Sequence, residues 1–172
     1  QELRGFVLYT TEEADCFHCH GLGAFMTDNR YHNNGMDTDF SSDEGRFKVT
    51  GNDADKGKFR TPTLRNIELT APYMHDSRFF TLEQVVEHYS EHVVQSATLD
   101  PLMELVGVGG AQLTQDEKAD LVAFLKTFTD EDFINNPEFS NPNPWSSPLL
   151  NLADISHLGL YSKTHLLYLF VK

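Results

Sequence analysis

Residues 14–21 read A-D-C-F-H-C-H-G, and they decide the fold because they contain both cysteines of the chain, Cys16 and Cys19, with His20 directly after the second. Cys-x-x-Cys-His is the attachment site of a c-type haem. Two sulfurs about one helical turn apart can bond the two vinyl groups of the haem, and the adjacent histidine is then held under the iron as its proximal ligand. The sequence therefore predicts one covalently bound haem c.

Three other uses of a Cys-x-x-Cys pair agree less well with the surrounding sequence. A thioredoxin-like redox pair needs a strand before it and a helix after it, and no such pattern surrounds this one. A zinc site needs two more ligands at similar spacing, and the chain has no third cysteine. A disulfide across two residues is strained.

Length and charge limit the class of protein. The 172 residues suffice for one domain with a core built around a cofactor. The 26 acidic and 13 basic residues give a net charge of −13, which argues against nucleic acid or an anionic membrane as partner. No apolar run approaches the roughly 20 residues of a membrane span. Haem c is attached outside the cytoplasmic membrane, so the motif predicts a periplasmic protein. Because Gln1 is not an initiator Met, we interpret the chain as processed or excised.

The first and last predicted helices are expected to pack on each other beside the haem. An amphipathic stripe precedes the motif, formed by Leu3, Phe6, Val7 and Thr10. Gly5 would let another helix cross closely. The later helix spans 114–128, begins with a Thr114/Glu117 capping box and has a core stripe of Leu121, Phe124, Leu125 and Phe128. No strand-like alternation is visible. The predicted fold is all-α, a cytochrome c-like domain with long loops around one covalently bound haem.

A helix over 81–93 carries the most informative tyrosine. Thr81 and Gln84 form a capping box, and one stripe holds Leu82, Val85, Val86, Tyr89 and Val93. His88 and His92 lie on its flank beside acidic residues, so we expect them to be solvated. Tyr89 is the polar tip on the inward face, and a buried hydroxyl needs a partner. That partner is either the haem iron or a backbone carbonyl of the core.

The segment 21–55 is rich in Gly, Asn and Asp, which predicts loops over one face of the cofactor. His32 and Met36 lie in it, and either is a formal ligand candidate, although loop residues of these types are more often incidental. Lys58, Arg60 and Arg65 form a basic cluster in an acidic chain. They are interpreted either as partners of the haem propionates or as ordinary surface ion pairs.

Beyond Asp130 the chain is irregular and proline-rich. We place the end of the haem domain near Trp145, so that residues 1–145 form the domain and 146–172 a C-terminal tail of unclear role. The tail ends in a short apolar run that is interpreted as packing on the domain or on another chain, or as an extension.

Four segments in order carry a resemblance to a known family. They are C-F-H-C-H-G, F-R-T-P-T-L-R-N-I-E-L-T-A-P-Y-M-H-D, T-L-E-Q-V-V-E-H-Y and L-T-Q-D-E-K-A-D-L-V-A-F-L-K. Residues 2–145 resemble the C-terminal haem domain of the bacterial di-haem cytochrome c peroxidase and MauG family. The resemblance implies two haems in two domains: the N-terminal haem reacts with peroxide, and the C-terminal haem relays electrons or stores oxidising equivalents.

The resemblance also implies a ligand set. In the peroxidases a Met, and in MauG-like members a Tyr, ligates the C-terminal haem fourteen residues beyond the His of P-Y-x-H; here that position after His75 is Tyr89. The family binds calcium between its haems partly through two backbone carbonyls, which would be those of Thr70 and Pro72, with a side-chain ligand from the other domain. One departure is Ser77, where the family usually has Gly, so the geometry of this loop is left open.

A single Cys-x-x-Cys-His means that the peroxide-reacting haem is absent from this chain. We therefore interpret the chain as a fragment or processed half that lacks peroxidase activity alone and has a second haem domain, with an electron donor or protein substrate, as partners. The alternative is a stand-alone mono-haem electron carrier with His/Met ligation, in which Met103 or Met74 replaces Tyr89. A non-haem interaction module is a third hypothesis, which covalent haem in the purified chain would exclude.

Overall fold

The computed structural model describes residues 1–23 and 25–142, which are mainly helical. The helices are α1 (Glu2–Tyr9), α2 (Phe47–Thr50), α3 (Leu82–Glu91), α4 (Gln115–Lys126) and α5 (Glu131–Ile134), with short 3-10 helices at Asp53–Asp55, Ile67–Leu69, Glu104–Val108 and Pro137–Phe139. Gln1–Asp130 form one compact unit, and a second unit begins at Glu131. Within the described ranges no helix is long and apolar enough to cross a bilayer. The predicted boundary at Trp145 and the tail 146–172 lie outside these residues.

Helices α1 and α4 cross at Gly5, as the sequence predicted. A Cβ atom at Gly5 would lie 2.0 Å from the carbonyl oxygen of Asp120 and 2.7 Å from the Cβ of Phe124. Arg4 beside it donates to the Asp120 carboxylate, with Nη2 to Oδ1 at 2.8 Å. The two helix backbones therefore meet with no room for a side chain between them.

The face that α1 buries differs from the predicted stripe. Leu3 is 76% exposed and Val7 49% exposed, so the predicted stripe does not form the buried face. The buried residues of α1 are Gly5, Leu8 and Tyr9. These residues also follow i, i+3, i+4 spacing. They form the buried face because α4 can approach α1 closely only on the face that contains Gly5.

Helices α3 and α4 begin at the predicted capping boxes, Thr81 with Gln84 and Thr114 with Glu117. In each box the threonine hydroxyl accepts from the backbone N–H three residues later, while the side chain of that later residue accepts from the threonine N–H. Lys118 of α4 lies between the two helices and forms ion pairs with Glu87 and Glu91. Its Nζ lies 2.9 Å from Glu87 Oε2. The three longest helices thus share the core.

The prediction of an all-α fold is corrected by a small sheet. Strands β1 (Tyr31–His32) and β2 (Phe59–Arg60) pair antiparallel, with Tyr31 opposite Arg60 and His32 opposite Phe59. Two residues are too few to show the alternating pattern by which a strand is found in a sequence. The fold is helix-rich with one two-stranded ladder between loops.

Replacement of Gly5 by Ala should disrupt the α1–α4 crossing, because the added methyl group would overlap the Asp120 carbonyl. We expect the unfolding free energy of the Gly5→Ala variant to be lower by about 1–3 kcal/mol, the usual cost of overpacking. Gly107→Ala is the matched control, since nothing lies within 4 Å of a Cβ at that position. Denaturant unfolding of the two holoproteins measures the difference, and equal stabilities would contradict a tight crossing at Gly5.

Candidate haem site

The Cys-x-x-Cys-His segment is held in place by Tyr9. The Tyr9 hydroxyl donates to the backbone carbonyl of His20. Its ring is fully buried in edge contact with Phe124 and Phe128, at centroid distances of 5.2 and 5.7 Å. Within the segment, the His20 N–H donates to the Cys16 carbonyl at 3.0 Å. The sequence stripe did not single out Tyr9, although its spacing of four residues from Gly5 places it on the face that crosses α4.

The His20 imidazole is oriented in the way that a metal ligand requires. Its Nδ1–H donates to the carbonyl of Met26 at 3.2 Å, and a carbonyl can only accept. The other ring nitrogen, Nε2, is therefore the one with a lone pair for a metal. Burial lowers the pKa of His20, against the opposing effect of the Met26 carbonyl, and so favours the neutral form that binds metals.

Both cysteines are half-buried, and no disulfide joins them. Burial raises the pKa of Cys16 to about 12, and burial together with the carboxylates of Asp28, Asp100 and Asp15 raises that of Cys19 to about 12. A thioredoxin-like nucleophile or a zinc-binding thiolate has a lowered thiol pKa. The cysteine environment therefore does not favour either of those uses.

The described residues contain one group of three close metal-ligating side chains, Glu12, Asp15 and His18. It includes neither cysteine nor His20, and Glu12 is largely exposed. The zinc alternative for the Cys-x-x-Cys pair therefore finds no further ligands in this group.

Tyr89 of α3 is half-buried, and both cysteines lie within range of electrostatic influence on it. Burial raises its pKa to about 12, a hydrogen bond from Asn34 acts in the opposite direction, and the charges that Cys19 and Cys16 would carry raise it further. An influence of this kind places the phenol and the two cysteines in the same region of the fold. The Tyr89 oxygen accepts from Asn34 Nδ2 at 2.8 Å, which leaves its own proton, or a lone pair after ionisation, for another partner.

The methionines named as alternative ligands lie in different places. Met74 Sδ lies 3.7 Å from Asn34 Nδ2, the same nitrogen that donates to Tyr89. Met103 belongs to the segment after Asp100, to whose carbonyl its N–H donates at 3.0 Å. The carbonyl of Met36 accepts from Arg78 at 3.4 Å. Met74 is thus the methionine that these contacts connect with Tyr89.

The prediction that His88 is solvated is wrong, whereas His92 is exposed as predicted. His88 is 3% exposed, and its Nε2 lies 3.4 Å from the Asn34 carbonyl, to which it donates. The reason is that the Asn34 loop and Phe79 cover the flank of α3 on which His88 lies, with Phe79 and His88 ring centroids 5.9 Å apart. The flank next to Tyr89 is therefore a packed surface.

His32 is enclosed by two carboxylates. Its Nε2 lies 2.7 Å from Asp28 Oδ2 and its Nδ1 2.6 Å from Asp100 Oδ2. Both ring nitrogens thus have acidic partners, and the ring satisfies both as a doubly protonated imidazolium. Burial lowers the pKa of His32, but the hydrogen bonds and charges of Asp100 and Asp28 outweigh it, and the net pKa is raised. We therefore interpret His32 as an ion-pair residue rather than an iron ligand.

The predicted propionate partners have protein partners in this structure. Arg60 is exposed and donates to the Asn29 side chain. Arg65 binds Asp130 through Nη2 at 2.6 Å and Nε at 3.1 Å. Their proposed role toward propionates stays a prediction.

Thr70 and Pro72, the predicted calcium positions, are exposed on the loop that follows the 3-10 helix Ile67–Leu69. The buried Tyr73 closes this loop, because its hydroxyl donates to the Ile67 carbonyl at 2.8 Å. An exposed loop can present backbone carbonyls to an ion, and the calcium site stays a prediction.

Ser77, the departure from the family pattern, has the backbone conformation of a glycine. Its φ is 63° and that of Met74 in the same loop is 71°, both in the left-handed region that most residues avoid. The loop is closed at its base by the Tyr73 N–H, which donates to the Phe79 carbonyl at 2.7 Å. The serine therefore retains the geometry that a glycine adopts without strain.

Known proteins are similar to most of this chain. Cytochrome c551 peroxidase of Nitrosomonas europaea is 35% identical over 144 residues, which are 82% of this chain and 36% of that protein. The methylamine utilization protein MauG of Methylorubrum extorquens is 34% identical over 128 residues, 74% of this chain and 34% of that protein. A crystal structure of a MauG-like protein associated with microbial copper homeostasis matches with a TM-score of 0.71 and 42% identity, over 82% of this chain and 50% of that one.

The chain therefore spans only about a third of the length of these two curated relatives and half of the solved chain. It matches none of the protein-family models with which it was compared.

The ion pairs of His32 should make stability depend on pH. A raised folded-state pKa contributes stability fully below the unfolded value of about 6.5, and this contribution is lost as pH rises through the folded value. His32→Gln should therefore lower the unfolding free energy more at about pH 6 than at about pH 9. His92→Gln is the control, because it removes a histidine that is exposed and should affect the unfolding free energy little at either pH. Denaturant unfolding at both pH values measures the effect, and an equal loss at both would argue against a charged His32.

Ser77→Gly should stabilise the protein, because glycine adopts a φ of 63° without the cost that a Cβ imposes there. We expect a gain of about 1 kcal/mol in unfolding free energy. Ser41→Gly is the control, since Ser41 is not among the residues with positive φ and should lose stability through added backbone freedom. Thermal or denaturant unfolding compares the two variants. A loss of stability in Ser77→Gly would mean that the loop is not left-handed at this residue.

Proposed function

Because this chain belongs to the cytochrome c peroxidase and MauG family, we propose that it is the haem-c oxidoreductase domain of a di-haem enzyme of this kind. It relays electrons or stores oxidising equivalents for a peroxide-reacting haem held in a second domain. That domain and an electron donor or protein substrate are its partners, and the periplasm is its location. The chain alone, with one Cys-x-x-Cys-His, lacks the peroxide-reacting centre.

The proposed ligand set consists of Cys16 and Cys19 as thioether attachments and His20 and Tyr89 on the two sides of the iron. The observation that carries it is the position of the Tyr89 phenol on α3, where it accepts a hydrogen bond from Asn34 at 2.8 Å and lies within electrostatic range of both cysteines. His20 supports the same set, because the Met26 carbonyl holds Nδ1 and leaves Nε2 for a metal. The four side chains therefore suit a haem by residue type, and His20 suits it by protonation as well.

The choice of Tyr89 determines what such a site does. A haem bound there supplies one-electron transfer. A phenolate is a hard anionic donor that favours ferric iron, whereas a thioether favours ferrous iron and raises the potential. The chain contributes a buried phenol that is fixed by Asn34 and an imidazole that is fixed by a carbonyl, in an interior that Tyr9 closes from the side of α1. These features suit a domain that holds oxidising equivalents.

The remaining assignments concern charge around the haem. We propose that Arg60 and Arg65, the latter already bound to Asp130, face the propionates and that the carbonyls of Thr70 and Pro72 bind calcium. The exposure of Arg60 at the end of β2 supports the first role, and the exposed loop position of Thr70 and Pro72 supports the second, since loops can supply free carbonyls.

The second candidate is a mono-haem electron-transfer protein with His/Met ligation. One observation favours it, which is that the Met74 thioether lies 3.7 Å from the amide that also binds Tyr89. Ferric His/Met haem has a far-red sulfur-to-iron charge-transfer band, and this band in the wild-type holoprotein would replace the first proposal by the second.

Tyr89→Phe tests the ligand set. The variant should keep its covalent haem, because Cys16 and Cys19 are untouched, but it should lose the sixth ligand. We expect the ferric spectrum to change from six-coordinate phenolate to an open or water-ligated form, and the reduction potential to rise because the anionic donor is lost. Absorption spectroscopy, electron paramagnetic resonance and potentiometry on the holoprotein measure these changes.

Tyr31→Phe is the matched control for this experiment, because Tyr31 is 39% exposed and its ring pairs with Arg46, whose Cζ lies 4.2 Å from the ring centroid in a cation–π contact. It should leave both the spectrum and the potential unchanged. A Tyr89→Phe spectrum identical to the wild type would exclude Tyr89 as ligand.

A further inference from the structure

One side chain connects the two candidate donors for the distal side of the haem. Asn34 Nδ2 lies 2.8 Å from the Tyr89 oxygen and 3.7 Å from Met74 Sδ. An amide nitrogen has two N–H groups, so it can donate to the oxygen and to the sulfur at the same time. The bond to sulfur is the weaker one, because a thioether is a poor acceptor. The phenol and the thioether are thus neighbours around a single nitrogen.

The position of Asn34 is set by the folded chain around it and not by Tyr89. Its carbonyl accepts from His88 at 3.4 Å, which fixes the loop to α3. The preceding Asn33 is 1% exposed, and its side-chain oxygen accepts from the N–H of Gly35 at 3.0 Å. The Gly35 carbonyl in turn accepts from the N–H of Val94 at 2.9 Å. Contacts of its own backbone and of its neighbours therefore position Asn34, independently of the hydrogen bonds that its amide makes to the Tyr89 oxygen and the Met74 sulfur.

Met74 is likewise placed by its loop. Its φ of 71° is in the left-handed region, which costs free energy for a residue with a side chain. The Tyr73–Phe79 bridge on either side of the loop maintains this conformation. Strain of this kind is kept only where the surrounding structure fixes it, and it often accompanies functional sites. Here it holds a thioether next to the tyrosine that we propose as the ligand.

We propose that Asn34 is the positioning residue that decides which donor binds the haem iron, by holding the Tyr89 oxygen with one N–H and occupying the Met74 thioether with the other. This inference rests on the proposed function, in which Tyr89 is the wild-type ligand. Met74 is then a second axial donor within the same site, which the amide keeps from the iron. Loss of the amide removes the bond that fixes the phenol and frees the sulfur, so ligation changes from phenolate to thioether.

The test uses Asn34→Leu in the haem-loaded protein. Leucine has about the size of asparagine but no donor, so the variant should lose phenolate ligation, gain the far-red sulfur-to-iron band and show a raised reduction potential. Asn34→Leu/Met74→Leu should lack that band, whereas the matched control Asn34→Leu/Met103→Leu should retain it. Met74→Leu alone should keep the wild-type spectrum, because Tyr89 remains the ligand.

If Asn34→Leu fails to fold or to load haem, Asn34→Ala removes the same amide without adding bulk and is measured in its place. An unchanged phenolate spectrum in that variant, or an open sixth site without the sulfur band, overturns the inference but leaves Tyr89 ligation standing. A sulfur band already present in the wild type overturns the Tyr89 ligation of the proposed function instead. The two failures are therefore distinguishable in one set of spectra.

Discussion

The close crossing of α1 and α4 at Gly5 is the constraint on which the site depends. With no side chain at this position, the two backbones meet at the Asp120 carbonyl, and the neighbouring turn of α1 brings Tyr9 into the core. The Tyr9 hydroxyl then reaches the carbonyl of His20. The packing of α1 on α4 therefore also positions the Cys-x-x-Cys-His segment. The position of His20, the proposed proximal ligand, therefore depends on helix packing as much as on its own loop.

The other side of the site is attached to the same helix α4. Lys118 lies under α3 with its side chain buried and pairs with Glu87 and Glu91, the residues two positions before and after Tyr89. Because both carboxylates remain more than a third exposed, these ion pairs add little net stability. Their geometry fixes how α3 lies against α4. Helix α4 therefore positions both proposed axial ligands, His20 through Tyr9 and Tyr89 through Lys118.

Local patterns were predictable from the sequence, and contacts between distant residues were not. The haem motif and the Thr81 and Thr114 capping boxes each depend on residues three or four positions apart, so their spacing is visible in the chain. The inward direction of Tyr89 followed from helical periodicity. The burial of His88 did not, because it is caused by the loop at Asn34, 54 residues away.

The same reason explains the other differences. The buried face of α1 depends on which face meets α4, and a helix with apolar residues on two faces does not reveal it. The pairing of His32 with Asp100 spans 68 residues, and two-residue strands have no period to detect. Asn34, which contacts Tyr89, belongs to a segment whose sequence predicts only a polar loop. The proposed donors could be named from the sequence by residue type, whereas the residues that contact them could be identified only from the fold.

The charges around the site act in the same direction as its proposed phenolate. The Asp28 N–H donates to the Cys19 carbonyl at 3.0 Å, so that the Asp28 carboxylate, with that of Asp100, lies near this proposed attachment residue. His32 offsets part of this charge from between the two aspartates, in a chain of net charge −13. Negative charge near a buried redox centre opposes the addition of an electron, because the interior screens it poorly. The carboxylates and Tyr89 would therefore both favour the oxidised state, and the neutral amide of Asn34 fixes the phenol there without adding a charge.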